Sequence, residues 1–293
     1  MRIVFMGSSE ASAECLHAIL REEALEVVGV VTQPDRPVGR GKAGRAKEIA
    51  PCPLAKFAAA RGLTEIIKPE RVNDDEPMAW IRAKKPDVIA ALEAGDRLTG
   101  VTVMRMGVGL DDGPIMLQSF EPIYPDTTGG DLMEDLAIAG GVALAKALKL
   151  LWRHALPPEV PQDAHAATYV KKLKKTDGLV SWDCPVIEIE RRIRAYNPWP
   201  GCYTFLPLRF RKKGTFGRLV ISRAKIVRIP DAQGAAARPG TVIGLDRLGP
   251  IVKCHDTALL LTEVKPEGSS AMDGGAFLRG RPLKPFEDCL LCE

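Results

Sequence analysis

Apolar residues fall in short runs separated by glycine, proline and polar turns, and the rhythm of those runs changes once along the chain. Arg2 to Phe5 reads as an apolar strand that stops at Gly7, and Ser8 and Ser9 are helix N-cap types. A helix from Ala11 to about Arg21 then leads into Val27 to Val31, a continuous apolar run of the buried parallel kind. The same order returns with a helix at Ala55 to Arg61, a short strand at Thr64 to Ile67, a helix at Glu76 to Lys84 and a strand at Asp87 to Ala90. Such βα alternation predicts a parallel sheet covered by helices on both faces. Val101 to Met104 and Ile115 to Gln118 read as further strands, and Gly130 to Trp152 as a long amphipathic helix closing the domain.

Pro157, Pro158 and Pro161 mark a linker, beyond which the pattern turns to short β-type runs. These lie at Cys202 to Phe205, Leu219 to Ile221, Thr241 to Leu245, Ile251 to Cys254 and Leu259 to Val264, with Gly and Pro turns between them. Five strands of this length fit a small barrel. The expected fold is therefore α/β: a Rossmann-like doubly wound parallel sheet over residues 1–155, a linker over 156–200 and an OB-like β-barrel over 201–293.

Composition narrows the class. With 46% hydrophobic and 27% charged residues, the chain is neither disordered nor fibrous. No apolar run approaches the roughly 18 residues a bilayer span needs, and Met1 to Gly7 is too short for a signal peptide. A cytoplasmic protein without a membrane partner is expected. Seven scattered cysteines fit free thiols, and the lone Cys289–Cys292 pair lacks the second pair or spaced histidine that a zinc site needs, so no metal is expected. The net charge of +4 hides an asymmetry: residues 1–150 carry 18 basic and 22 acidic side chains, residues 151–293 carry 23 and 15. Between Lys171 and Arg228 stand 15 basic and four acidic residues, a concentration that points to a polyanionic partner.

The first turn has one glycine, Gly7, and no G-x-G-x-x-G, which disfavours a dinucleotide. After the second strand, Thr32 to Lys42 combines glycines, prolines and cations without apolar periodicity, the pattern of an exposed mobile loop. Taken with Gly100 to Met104, the turn Gly109-Leu110-Asp111-Asp112-Gly113-Pro114 and the run Ile193 to Gly201, these features resemble the methionyl-tRNA formyltransferases. Gly240-Thr241-Val242, Pro266-Glu267-Gly268 and Phe277 to Arg281 extend the resemblance through the C-terminal region.

That resemblance implies transfer of a formyl group from 10-formyltetrahydrofolate to the α-amine of methionyl-initiator tRNA, by a monomer. It implies that the Thr32 to Lys42 loop meets the tRNA acceptor end, with contacts carried by Arg36, Arg40 and Lys42. The Lys171, Lys172, Lys174 and Lys175 cluster is expected to track tRNA phosphates. Arg suits bidentate phosphate or guanine contacts, and cationic loops can order on a polyanion. It also assigns catalysis to an Asn-x-His pair and an aspartate, of which only Asp111 has a counterpart here.

In the family, the strand matching Asp87 to Ala90 is followed by a block bearing Asn-x-His and a Ser-Leu-Leu-Pro turn. Here Ala90 runs straight into Ala91 to Arg97, which matches the end of a later helix, so several dozen residues are absent. The four histidines, His17, His154, His165 and His255, match none of the family's catalytic positions. The chemistry explains why this matters. An amine attacking a formyl carbonyl builds negative charge on oxygen that a donor must stabilise, and the attacking ammonium must lose protons. Three readings follow: a formyltransferase with impaired activity, a non-catalytic tRNA-binding protein, or another folate-dependent formyltransferase, such as one acting on an amino sugar.

Overall fold

The computed structural model describes residues 1–38, 48–70, 91–94, 98–105, 112–166, 174–207, 216–229 and 231–290. They form two compact units, the first made of Met1–Tyr124 and Leu132–Thr168, the second of Pro125–Asp131 and Tyr169–Glu293.

In the first unit β1 (Arg2–Met6) and β2 (Glu26–Val31) pair in parallel, from Arg2 opposite Glu26 to Met6 opposite Val31, and β5 (Ile66–Ile67) extends the sheet beyond β2. Helix α1 (Glu10–Leu20) starts at Ser9, whose Oγ accepts from the Ser12 amide at 3.1 Å, and buries Ala13, Cys15, Leu16 and Ile19 at helical spacing. Helix α2 (Pro53–Ala60) buries Leu54, Ala55 and Ala58. Within the described part of the Thr32 to Lys42 segment, β3 (Arg36–Val38) pairs antiparallel with β4 (Glu48–Ala50).

Among the described residues, only the β1-β2-β5 strands satisfy the expectation of a parallel sheet. β6 (Ala91–Ala94), β7 (Leu98–Met104) and β8 (Ile115–Pro122) form a separate antiparallel sheet. The cause is connection length: ten residues separate β7 from β8, too few for the crossover that a parallel pair needs, so the strands return as a hairpin. The expected helical end at Ala91 to Arg97 is likewise a strand at its start: pairing of Ala91–Ala94 with Val101–Met104 overrides the strong local helix preference of Ala, Leu and Glu. The expected helix at Glu76 to Lys84 and strand at Asp87 to Ala90 lie outside the described residues.

Helix α3 (Gly129–Trp152) joins these elements into one core. Its Leu144 and Leu148 pack with Ile3, Phe5, Leu16, Ile19, Val30, Leu54, Val103 and Met116. Gly141 permits the close approach to α1, since a Cβ there would lie 2.8 Å from that of Ala18.

In the second unit, β9 (Cys202–Pro207), β10 (Phe216–Val227), β11 (Val242–Asp246), β12 (Gly249–Lys253) and β13 (Ala258–Pro266) form an antiparallel sheet in the order β11-β12-β13-β10-β9, with β14 (Met272–Asp273) on β13. Among the described residues the sheet stays open instead of closing into the expected barrel. Other segments meet its two outer edges: the Val180 amide bonds to the Tyr203 carbonyl beside β9. On the far side Phe286 donates to the Val242 carbonyl, and Val242 donates to that of Asp288. The short helices α5 (Ala232–Ala236) and α6 (Gly274–Gly280) complete this unit.

Helix α4 (Val186–Ala195) and the segment before it lie in the stretch expected to be linker, yet they supply core. Val180, Trp182, Val186, Ile189 and Ile193 pack with Leu219, Ile221, Leu259, Leu261 and Phe277. The apolar spacing of Val186, Ile189 and Ile193 marks an amphipathic helix that needs a sheet to cover.

Candidate functional site

At the carboxyl ends of β1 and β2, where open α/β sheets place their ligands, the chain makes a tight polar turn. Gly7 donates to the Val31 carbonyl at 3.1 Å, and the Gln33 amide donates to Ser8 Oγ at 3.4 Å. A Cβ on Gly7 would lie 2.5 Å from Ser12 Oγ, so this turn requires glycine. Behind it, buried Thr32 and Cys52 meet at 2.8 Å between Oγ1 and Sγ, and Cys52 Sγ accepts from the Ala55 amide to cap α2. Lys68 Nζ clamps Asp35 at 2.7 and 2.9 Å, fixing the chain just before the loop hairpin. Arg36 stands exposed at the start of β3, while Arg40 and Lys42 lie outside the described residues.

Asp111 also lies outside the described residues, in the connection between β7 and β8. The base of that connection is well braced. The Arg105 amide donates to the Pro114 carbonyl at 3.0 Å, Gln162 Nε2 donates to the Gly113 carbonyl at 2.7 Å, and Ile115 and Val160 exchange backbone bonds at 2.8 and 3.0 Å. Arg105 Nε reaches the two Glu159 carboxylate oxygens at 3.0 and 3.1 Å, and Nη2 also bonds to Oε1. This hydrogen bonding raises the Arg105 pKa and lowers that of Glu159. A segment 45 or more residues downstream thus straps the turn that carries the one expected catalytic carboxylate. Sequence reading missed Gln162, because a polar residue in a proline-rich stretch gives no periodic signal.

The second unit gathers cations. Lys174 and Lys175 are exposed neighbours at the 3₁₀ turn Lys175–Gly178, where the Lys174 amide donates to Asp177 Oδ2 at 2.6 Å; Lys171 and Lys172 lie outside the described residues. Between α4 and β10 runs a groove of about 540 Å³ lined by Glu190, Arg191, Arg194, Arg223 and Lys225 among others. Arg194 is spoken for inside it, with Nε on Glu190 at 2.7 Å and Nη1 on the Thr127 carbonyl at 3.1 Å. Arg36 belongs to the first unit, so the expected tRNA contacts are divided between the units.

Burial pushes the thiol of Cys15 up to about 11 and those of Cys202 and Cys254 up to about 12, which makes all three poor nucleophiles at neutral pH. Among the described residues no group of three or more His, Cys, Asp or Glu is placed to hold a metal, and no helix is long and apolar enough to cross a membrane.

Residues 172–282 match the model of the formyl transferase C-terminal domain, and residues 90–148 match that of the formyl transferase domain itself. Methionyl-tRNA formyltransferase of Symbiobacterium thermophilum is 36% identical, covering 96% of this chain and 92% of that protein. The enzyme of the same name from Chloroflexus aggregans is 34% identical, covering 96% and 97%. Among solved structures, HypX from Aquifex aeolicus in complex with tetrahydrofolic acid shares the fold with a TM-score of 0.57 at 16% identity, over 99% of this chain, which spans 50% of HypX. WlaRD, a sugar 3N-formyl transferase, matches with a TM-score of 0.57 at 14% identity over 92% of this chain and 99% of its own. The alignment to the Symbiobacterium protein runs over 320 positions, whereas 96% of 293 residues is about 281, so close to 40 positions have no counterpart here. A relative 36% identical across nearly the whole of both chains, together with both domain models, establishes that this chain belongs to the methionyl-tRNA formyltransferase family.

Proposed function

We propose that the chain serves methionyl-tRNA formylation, in which 10-formyltetrahydrofolate gives its formyl group to the amine of methionyl-initiator tRNA. In its 293-residue form it binds the tRNA but transfers formyl only near the background rate. The observation that carries this reading is the family match with close to 40 aligned positions missing, set beside the start of the formyl transferase match at residue 90. That start coincides with the point where the Asn-x-His block is absent from the sequence. Asp111 is then a carboxylate without the donors it would act with, and part of the folate pocket is gone.

On the binding side, Arg36, Arg40 and Lys42 meet the acceptor end, and Lys171, Lys172, Lys174 and Lys175, on the OB-like second unit, hold phosphates. Each neutralised phosphate releases counterions, so affinity falls steeply with salt. The test is tRNA binding across a salt series with the unaltered chain and with Lys174→Glu, Lys175→Glu. Weaker binding and a shallower salt slope in the variant support the reading; equal binding and slope, or no binding by the unaltered chain at low salt, refute it.

A further inference from the structure

Along β9, Cys202, Thr204 and Leu206 point into the core and Tyr203 and Phe205 point the other way, their rings in edge contact with centroids 5.8 Å apart. On the neighbouring strand, Arg218, paired in register with Phe205, lays its guanidinium over the Tyr203 ring at 3.8 Å from the centroid. Two features make this arrangement unlike a packed surface arginine. Among the described residues no carboxylate forms an ion pair with Arg218, since Glu267 spends its side chain on the Arg218 backbone amide. In addition, Arg218 Nε is buried with no hydrogen-bond acceptor, and a buried donor left unpaired is costly. Gly178 seats the Lys175–Gly178 turn beside the same ring: a Cβ there would lie 3.5 Å from Tyr203 Cδ1. Exposed Lys174 and Lys175 stand at the start of this turn, whose Gly178 end lies beside the Tyr203 ring.

From this geometry we infer that Tyr203, Phe205 and Arg218 form a stacking platform for an unpaired nucleobase of tRNA. Arg218 presents the outer face of its guanidinium to the base, and Lys174 and Lys175 hold the adjoining phosphates. A planar cation already stacked on an aromatic ring offers a second π-type face to a base. Stacking tolerates any base, so the platform contributes affinity without sequence selection. It rests on the tRNA reading above and refines it, adding a contact whose strength does not depend on salt.

The test compares the unaltered chain with Tyr203→Leu, Tyr203→Phe and Arg218→Lys for binding an initiator tRNA transcript and a blunt RNA duplex over a salt series. Tyr203→Leu is expected to weaken tRNA binding about 5- to 140-fold, the roughly 1 to 3 kcal/mol of one base stack converted at 1.4 kcal/mol per decade, with the salt slope unchanged. Tyr203→Phe, which keeps the ring, restores most of the affinity. Arg218→Lys, which keeps the charge and loses the plane, loses part of it. None of the three alters duplex binding. Equal tRNA affinity in Tyr203→Leu, equal losses on tRNA and duplex, or a loss accompanied by a shallower slope would each overturn the platform while leaving tRNA binding in place. Failure of the unaltered chain to bind tRNA would instead remove the reading beneath it.

Discussion

The two units differ in how completely their sheets are built. In the second, five main strands run in one hydrogen-bonded path, with segments at Val180 and Phe286 to Asp288 meeting its outer edges. In the first, the described strands fall into two sheets, β1-β2-β5 and β6-β7-β8, and one helix, α3, packs against residues from both. β1 has a strand neighbour on only one side among the described residues. Each core draws its residues from its own unit, which makes the contrast testable unit by unit. The second unit is expected to unfold at the higher temperature, in a transition separate from the first.

The largest effect should come from Gly249→Ala. Gly249 has φ of 154°, and a Cβ would lie 1.9 Å from the Leu261 carbonyl oxygen, so β12 or β13 must move. A cost of more than about 3 kcal/mol is expected, confined to the second transition in a melting curve. A matched pair follows. Leu144→Ala should lower only the first transition and Leu259→Ala only the second, each by about 2 to 5 kcal/mol for a buried leucine emptied to alanine. If either variant moves both transitions together, the units are not independent.

Smaller still is Asp256→Ala. Asp256 Oδ1 accepts from the Val186 amide at 2.8 Å and so caps the start of α4 from another part of the chain. Loss of a cap costs about 1 kcal/mol. That hydrogen bond lowers the carboxyl's pKa below its ordinary 3.8. The folded state therefore binds its proton less readily, and the contribution, full above the ordinary value, is lost as pH falls through the lowered one. Denaturation at pH 7 should separate the variant from the parent, and the gap should close in strong acid. At the bottom of the scale, Glu159→Gln removes an ion pair open to solvent and should leave the first transition where it is.

The fold was legible where periodicity was strong and the physics local. The α1 and α3 helices and most strands of the second unit fall within a few residues of their expected places, because Leu16 and Ile19, or Leu259 and Leu261, carry spacing that only one element can bury, while β10 runs well beyond its expected three residues. Strand direction was not legible between β7 and β8, where it depends on the length of a connection. Barrel closure was not either, since it depends on which distant segment reaches an edge first. The candidate site followed the same division. Lys174 and Lys175 announced themselves by charge, whereas Arg218 looked like one more cation until β10 laid it on Tyr203. Gln162 gained its role only when the chain returned past Gly113.

Whether this tRNA-binding formyltransferase has an incomplete catalytic half is decided by following labelled formyl from 10-formyltetrahydrofolate to methionyl-tRNA with the purified chain and its Asp111→Asn variant. Loss of a single oxyanion donor typically lowers turnover about 10² to 10³-fold, and catalytic groups that act as a unit do not lose their effects additively. Transfer near background is expected for both proteins, with Asp111→Asn indistinguishable from the parent. Robust turnover by the parent that disappears in Asp111→Asn would contradict it, and would mean that residues present in this chain complete the site around Asp111.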